Sequence, residues 1–180
     1  MNIILGVTGG IAAYKAPELV RQLVKAGHEV RVVMTHSSQQ FVTPLALQTV
    51  SMHSVRSELF DPQAESAMDH IELARWAELV LIAPATAHCI AQLSAGMAGN
   101  LLTTLCLASA APLLLAPAMN QQMWQHPATQ ENCSRLLDRG VQFIGPAEGD
   151  QACGETGPGR MSEPVDIVAV VTEASLNITC

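Results

Sequence analysis

The feature that most constrains the fold is a series of short apolar runs that alternate with helical patterns. These runs read IILGV, EVRVVM, ELVLIAPA and PLLLAPAMN, and most of their residues are aliphatic. Each run is bounded by Gly, Pro or polar residues and is too short for an ordinary helix, which predicts strands. Strands as apolar as LVLIA must be covered on both faces, as they are in parallel sheets flanked by helices.

The segments between these runs carry helical periodicity. The sequence predicts a first helix over 11–26 that Gly27 ends, an amphipathic helix over 128–139 before the strand VQFIG, and a last helix over 165–174. A chain of 180 residues has the size of one domain. We therefore predict a single α/β domain with a doubly wound parallel sheet, a three-layer sandwich of the Rossmann or flavodoxin-like kind.

Composition narrows the choice of partners. The chain has 9 Lys and Arg against 16 Asp and Glu, a formal net charge of -7, and no basic cluster. These values argue against a nucleic-acid partner. Charged residues make up only 14% of the chain, so we expect wide uncharged surfaces and self-association.

Targeting and cysteine patterns are also informative. The start MNIILGVTGGIAAYK has neither a basic n-region nor a cleavage site, and no run is long enough to span a bilayer. We therefore expect a cytoplasmic protein without a membrane partner. The 5 cysteines form no C-x-x-C pair, so we expect reduced thiols and neither a disulfide framework nor a metal site.

The segment 145–164, GPAEGDQACGETGPGRMSEP, has few core-forming residues and many Gly and Pro. It is predicted to be a long loop, and loops of this length in compact domains are usually functional or disordered. Cys153 lies in this polar surrounding, unlike the cysteines of the apolar segments. We predict a substrate flap with a functional thiol, the alternative being an incidental surface cysteine.

The first βα turn is a candidate phosphate site, because ligands of open parallel sheets bind beyond the carboxyl ends of the strands. In G-V-T-G-G-I, Gly9 and Gly10 let backbone N–H groups approach an anion at a helix N-terminus. The end of the second strand adds the hydroxyls of Thr35, Ser37 and Ser38. The absence of G-x-G-x-x-G and of an acidic ribose ligand favours a mononucleotide such as FMN over NAD. A tight turn with a helix cap is equally compatible with these residues.

Three further polar residues are candidates for the site. Two follow later strands, and one lies at the predicted start of a helix. Thr86 in APATAHCI can simply cap the next helix. Asn120 in PAMNQQM offers a donor and an acceptor that suit a carboxylate, although capping is the commoner use of Asn. His70 follows Asp69, a candidate N-cap, and a helix N-terminus favours the neutral imidazole that can take a proton. A solvent-facing or core histidine is the alternative.

These residues lie in longer sequence motifs, and those motifs resemble the motifs of a known family. The strings VTGGIAAYK, HIELARWAE, APATA, PAMNQQM and QACGETGPGRM span nearly the whole chain. They closely resemble those of phosphopantothenoylcysteine (PPC) decarboxylases, which are flavin-containing cysteine decarboxylases. The resemblance implies that His70 is the catalytic histidine, that Asn120 binds the substrate carboxylate, and that Cys153 donates a proton.

The resemblance also implies a cofactor and an assembly. Positions at which the family approaches FMN are matched by Gly9, Gly10, Ile11, Thr35, Ser37, Thr86 and Met119. A homotrimer or an assembly of trimers is implied, as is a ligase partner, because many bacterial relatives continue into a phosphopantothenate-cysteine ligase domain. Gly99 departs from the polar residue that relatives carry before the position of Asn100, a place at which relatives contact flavin or a neighbouring subunit.

The implied reaction is FMN-dependent decarboxylation of 4′-phospho-N-pantothenoylcysteine to 4′-phosphopantetheine in coenzyme A biosynthesis. Direct loss of carbon dioxide would leave a carbanion without an electron sink. Oxidation of the CH2–SH carbon to a thioaldehyde, with flavin as the hydride acceptor, supplies that sink. Loss of carbon dioxide from the thioaldehyde gives an enethiol. The enethiol takes back the hydride and receives a proton from Cys153, so there is no net oxidation and the enzyme is expected to be a lyase.

The alternatives have other signatures. A flavin prenyltransferase would show a GASG-like first turn instead of TGGI. A non-catalytic flavoprotein binding subunit could lose His70 or Cys153, and both are present. A peptidyl-cysteine decarboxylase of the lantibiotic type shares the chemistry and differs in flap and acyl pocket; PAMNQQM and ACGETGPGRM favour the coenzyme A precursor.

Overall fold

The computed structural model describes residues 1–59, 69–152 and 154–178. A parallel sheet forms its centre, with strands β1 (Asn2–Val7), β2 (Glu29–Met34), β3 (Leu79–Ala85), β4 (Leu113–Pro117) and β5 (Gln142–Phe143). The strands lie in the order β2-β1-β3-β4-β5, which is the flavodoxin-like order. The predicted parallel α/β architecture is confirmed.

Helices connect the strands and follow the last of them. They are α1 (Ala16–Lys25), α2 (Pro44–Ser51), α3 (Asp69–Trp76), α4 (Ala87–Ser94), α5 (Leu101–Ala108), α6 (Gln121–Gln125), α7 (Pro127–Asp138) and α8 (Pro164–Ile178). The amphipathic helix predicted over 128–139 corresponds to α7, and α8 extends the predicted last helix at its C-terminal end.

The first predicted helix differs from the observed one at its start. Ile11–Lys15 forms a 3₁₀ turn, and the α-helix begins only at Ala16. Pro17 lies in the first turn of α1, where its missing N–H costs nothing. An α-helix running through from Ile11 would place this ring against the carbonyl of Ala13, which the tighter turn avoids.

The two faces of the sheet bury separate apolar clusters. In β1, Ile3 and Leu5 belong to the cluster that includes Leu19 of α1, whereas Ile4 belongs to the cluster that includes Leu102 of α5. All five side chains are at most 1% exposed. Because successive residues of a strand point to opposite faces, this alternation gives the three layers that the sequence predicts.

The described cysteines are thiols held in apolar surroundings. Cys89, Cys106 and Cys133 are free, and burial raises the pKa of Cys106 to about 12. The pKa values of Cys89 and Cys133 are raised by the same cause. In the described ranges no helix is long and apolar enough to cross a membrane, and no group of three or more His, Cys, Asp or Glu residues could hold a metal ion.

The segment 145–164 is more ordered than the predicted loop. Ala147–Asp150 (β6) and Thr156–Arg160 (β7) pair as an antiparallel hairpin outside the central sheet. The backbone N–H of Met119 donates to the carbonyl of Gly159 at 2.9 Å and ties this hairpin to the turn after β4. Cys153, the predicted functional thiol, lies outside the described residues.

Candidate functional site

The turns after β1 and β3 are joined at the carboxyl edge of the sheet. Thr8, which is 2% exposed, donates its hydroxyl hydrogen to the carbonyl of Pro84 at 2.7 Å. The same hydroxyl accepts from the backbone N–H of Thr86 at 3.2 Å. Because the chain crosses to opposite sides of β1 at this point of the strand order, a crevice is expected here.

A cavity of about 660 Å³ opens at this edge, within the range of small-ligand sites. The turns of the sheet contribute Gly9, Gly10, Ile11, Ser37 and Thr86 to its lining, and we call these residues the turn wall. The turn after β4 and the hairpin contribute Met119, Asn120, Gln151, Gly159 and Arg160, which we call the hairpin wall. The structure thus brings most of the predicted cofactor residues together with Asn120.

Gly9 is required because Ser37 approaches it closely. A Cβ atom at Gly9 would lie 2.5 Å from Ser37 Oγ, nearer than side chains can pack. The Ser37 hydroxyl lies 3.3 Å from Thr35 Oγ1, which contacts the carbonyl of Val7 at 3.4 Å. Bare backbone and a hydroxyl at the start of a helical turn form a cradle suited to a phosphate.

The three hydroxyls predicted after β2 have different roles. Ser37 lines the cavity, whereas Thr35 does not line it and contacts Ser37 instead. Ser38 is fully buried and donates to the carbonyl of Thr35 at 2.7 Å. Ser38 therefore stabilises the turn, and the prediction that it supplies a donor to a phosphate is wrong.

Thr86 and Asn120 are both helix caps and cavity residues. Thr86 Oγ1 accepts from the backbone N–H of Cys89 at 3.3 Å at the start of α4. Asn120 Oδ1 accepts from the backbone N–H of Gln122 at 2.7 Å at the start of α6. Capping fixes the orientation of each side chain, so the structural role and the binding role are compatible.

The amide of Asn120 already binds a carboxylate. Asn120 Nδ2 donates to Glu155 Oε2 of the hairpin segment at 2.7 Å, and Gln121 Nε2 donates to the same oxygen at 3.3 Å. Gln151 Oε1 accepts from the backbone N–H of Gln121 at 3.1 Å. The turn after β4 therefore presents donors that are suited to a carboxylate of a ligand.

His70 is not brought to this cavity within one chain. It lies in the first turn of α3, is half-buried and does not line the cavity. Its Nδ1 atom is buried and has no hydrogen-bond partner within the described residues. The side chain of Asp69, the predicted cap before it, lies outside the described side chains.

Several cavity residues were not singled out from the sequence, although those from 150 onwards lie in the predicted substrate flap 145–164. They are Ala12, Tyr14, Lys15, Ala87, His88, Ala118, Met123, Asp150, Ala152 and Met161, together with Gln151, Gly159 and Arg160 of the hairpin wall. A signal for two of them existed: Lys15 and Arg160 are basic residues in an acidic chain, and both lie inside motif strings. Each could have been singled out on that ground.

Gly99, the position that departs from the family pattern, lies on an exposed segment. Asn100 beside it caps α5, with Oδ1 accepting from the backbone N–H of Thr103 at 3.0 Å and the Thr103 hydroxyl accepting in return at 3.3 Å. This reciprocal pair accounts for Asn100 without a ligand. Neither Gly99 nor Asn100 lines the cavity.

Comparison with known proteins agrees with this geometry. The chain is 59% identical over 168 residues to the Coenzyme A biosynthesis bifunctional protein CoaBC of Vibrio cholerae, a match that covers 93% of this chain and 42% of that protein. The chain thus spans about two fifths of the length of that relative.

Solved structures match over nearly the whole chain. A mutant of PPC decarboxylase complexed with pantothenoylaminoethenethiol is 33% identical, with a TM-score of 0.84 over 95% of this chain and 96% of that one. The FMN-dependent cysteine decarboxylase SpaF is 26% identical, with a TM-score of 0.80 over 94% and 95%. The family model described as Flavoprotein matches residues 1–176, and the chain belongs to the Flavoprotein family.

Proposed function

We propose that this chain is an FMN-dependent PPC decarboxylase that converts 4′-phospho-N-pantothenoylcysteine to 4′-phosphopantetheine. The observation that carries the proposal is the amide of Asn120, which holds a carboxylate at 2.7 Å on the edge of a cavity that also contains a phosphate cradle. Such a site can hold a phosphorylated cofactor beside a substrate that ends in a carboxylate. The names of the bacterial relative and of the PPC decarboxylase structure support the same reaction.

The residues of the turn wall fit FMN. The missing Cβ of Gly9 lets the Ser37 hydroxyl lie against the backbone of the first turn, and the segment after β2 contains no acidic residue that would bind an adenosine ribose. Ile11 and Met119 add apolar surface for a flat ring. When bound, flavin supplies a reversible hydride acceptor, which the protein's own side chains cannot provide.

The protein's own groups bind the substrate and transfer protons. Asn120 orients the substrate carboxylate through Nδ2, since its Oδ1 is used by the backbone of α6. His70 accepts a proton in the oxidative half of the reaction, and Cys153 returns one in the reductive half.

Self-association gives His70 a route to an active site. We propose a homotrimer or an assembly of trimers, in which His70 acts at the cavity of a neighbouring copy. Two observations support this assembly: His70 lies away from the cavity of its own chain, and Leu45, Met52 and Met97 are large apolar side chains that are 71%, 82% and 52% exposed. Apolar side chains as exposed as these favour burial between subunits.

The substrate requires a ligase. The bacterial relative is bifunctional and more than twice as long as the matched region. We propose that a phosphopantothenate-cysteine ligase, in a linked domain or in a separate protein, supplies the substrate.

The test is the visible spectrum of the purified protein, followed by mass analysis of the product from PPC. We expect a flavin spectrum and 4′-phosphopantetheine. The variant Cys153→Ser should accumulate the enethiol, which has two hydrogens fewer than the product, because the reductive half needs its proton. A colourless protein that FMN cannot reconstitute contradicts the proposal, as does saturated product from Cys153→Ser at the wild-type rate.

His70→Asn should keep its flavin and lose turnover, because Asn cannot accept a proton. The matched control is His126→Asn, since His126 is an exposed cap of α7 and Asn is an equally good cap. Equal losses of turnover in the two variants would remove the catalytic role from His70.

A further inference from the structure

Two basic side chains meet at the cavity and share one carboxylate. Lys15 Nζ lies 2.7 Å from Glu163 Oε1, and Arg160 Nη2 lies 3.2 Å from the same oxygen. Lys15 and Arg160 line the cavity, whereas Glu163 does not. The two cations are therefore held at the cavity by a carboxylate outside its lining.

The Lys15 side chain is unusually buried for a lysine. It is 11% exposed, against 49% for Glu163. Glu163 is fixed in turn, because its carbonyl accepts the backbone N–H groups of Asp166 and Ile167 in the first turn of α8. Lysine is rarely buried unless it is paired, and here the contact with Glu163 Oε1 gives the ammonium a defined position.

The group formed by Lys15, Arg160 and Glu163 carries a surplus of positive charge, because two cations share one anion. Asp150, the acidic residue in the described cavity lining, accepts a hydrogen bond from the Thr156 hydroxyl at 2.7 Å. An ammonium has three donors and a guanidinium five. Glu163 uses only some of these donors. Lys15 and Arg160 can therefore bind a second anion that carries more charge than a carboxylate.

The cavity lining thus contains two groups, on different elements, that are suited to an anion. The turn wall has the cradle at Gly9 and Ser37, and the second group consists of Lys15, which ends the 3₁₀ turn, and Arg160, which ends β7. The proposed cofactor and the proposed substrate each carry one phosphate monoester. Asn120, whose amide donates a hydrogen bond to a carboxylate, belongs to the same hairpin wall as Arg160. This shared wall assigns the second group to the substrate.

We propose that Lys15 and Arg160 bind the phosphate monoester at the acyl end of the substrate and make the enzyme selective for phosphorylated substrates. The inference rests on the proposed function. Glu163 is the positioning residue: its carboxylate holds both cations and keeps them at the cavity when no phosphate is bound. Arginine and lysine are the usual protein ligands of phosphate groups, and bonds between two charged groups are about twice as strong as neutral ones.

The test compares ligands that differ only in the phosphate. Calorimetric titrations measure the affinity of the FMN-loaded protein for 4′-phosphopantetheine and for pantetheine, and turnover is measured with PPC and with pantothenoylcysteine. In Lys15→Gln and Arg160→Gln we expect the preference for the phosphorylated ligand to fall about tenfold or more, the value of one charge-assisted contact. The affinity for pantetheine and the flavin content should stay within about twofold of wild type, since neither involves the substrate phosphate.

Two further variants complete the test. Arg21→Gln is the matched control, because Arg21 also pairs with a glutamate, Glu18 at 2.8 Å, but lies on the surface of α1 away from the cavity. Lys15→Arg keeps the charge and should keep most of the preference. Arg160 is 39% exposed, so Arg160→Gln gives an answer even if the more buried position does not tolerate substitution.

The outcomes separate this inference from the proposed function. An unchanged phosphate preference in both Gln variants overturns it, and so does loss of FMN from a folded Lys15→Gln protein, which would assign the pair to the cofactor phosphate. Phosphate-dependent binding that the Gln variants abolish, in a protein that decarboxylates neither cysteine compound, would support the subsite and overturn the proposed function. An equal fall of the phosphate preference in Arg21→Gln would mean that net charge alone causes the effect, and it would overturn the assignment.

Discussion

The two walls of the cavity are built by different physical means. The turn wall is part of the sheet: Thr8 is 2% exposed and bonded to the turn after β3, and Gly9 has no space for a Cβ beside Ser37. The hairpin wall is attached by individual hydrogen bonds, such as the 2.7 Å bond between the partly buried Asn120 and the exposed Glu155.

This difference suits the two binding tasks proposed for the walls. The shape of the turn wall is fixed by the core, so it can bind a resident cofactor without rearrangement. Each polar contact of the hairpin wall contributes only about 1 kcal/mol net, because water can replace its partner. A wall attached in this way can adjust when a substrate enters and leaves, as the segments around active sites often do.

The largest expected effect is on the turn wall. In Gly9→Ala the new Cβ would lie 2.5 Å from Ser37 Oγ and close the cradle. Overpacking of this kind costs about 1–3 kcal/mol, so the affinity for FMN should fall about 10- to 100-fold. Fluorescence titration of the apoprotein with FMN measures this change.

Gly99→Ala is the control for this variant, because Gly99 is exposed and its nearest neighbour to an added Cβ is Gln92 Nε2 at 3.9 Å. It should bind FMN as wild type does. If Gly9→Ala keeps full affinity, the turn wall is less rigid than its packing indicates, and the contrast between the walls fails.

The same contrast decides what the sequence could predict. The turn wall follows from local signals: apolar runs locate β1 and β3, and glycines after β1 locate the close approach to Ser37. The role of Ser38 could not be predicted from the sequence. Its hydroxyl donates to the carbonyl of Thr35, and only the folded turn places that carbonyl beside it.

The hairpin wall could be predicted only as a functional segment. Its strands read AEGD and TGPGR, and Gly and Pro are poor strand formers. Pairing depends on tertiary contacts, such as the bond from Met119 to Gly159, that have no local signature. The surroundings of His70 cannot be predicted from sequence periodicity for the same reason, because packing around α3 sets them.

A medium effect is expected where the hairpin meets the turn after β4. Gly159 has a φ of +133° and an added Cβ would meet the carbonyl oxygen of Met119. Gly159→Ala should therefore shift the hairpin at a cost of about 1–3 kcal/mol and raise the KM for PPC about tenfold, while the affinity for FMN changes little.

Gly154→Ala is the matched control. Gly154 also has a positive φ, +85°, but an added Cβ would meet nothing within 4 Å, so only the backbone strain is shared. Steady-state kinetics and flavin titration are measured on both variants. An equal loss of FMN affinity and substrate affinity in Gly159→Ala would contradict the separation of the two walls.

The smallest effect is expected at Glu155, whose carboxylate accepts from the amide of Asn120 that we propose for the substrate carboxylate. Glu155→Gln removes the charge of this acceptor, and at an exposed site we expect the KM for PPC to fall only about threefold. Glu148→Gln, which removes the same charge from the exposed side of β6, should leave the KM unchanged. A rise in KM for Glu155→Gln would mean that Glu155 orients Asn120 instead of competing for it. An equal fall in both variants would mean that only the net charge of the hairpin matters.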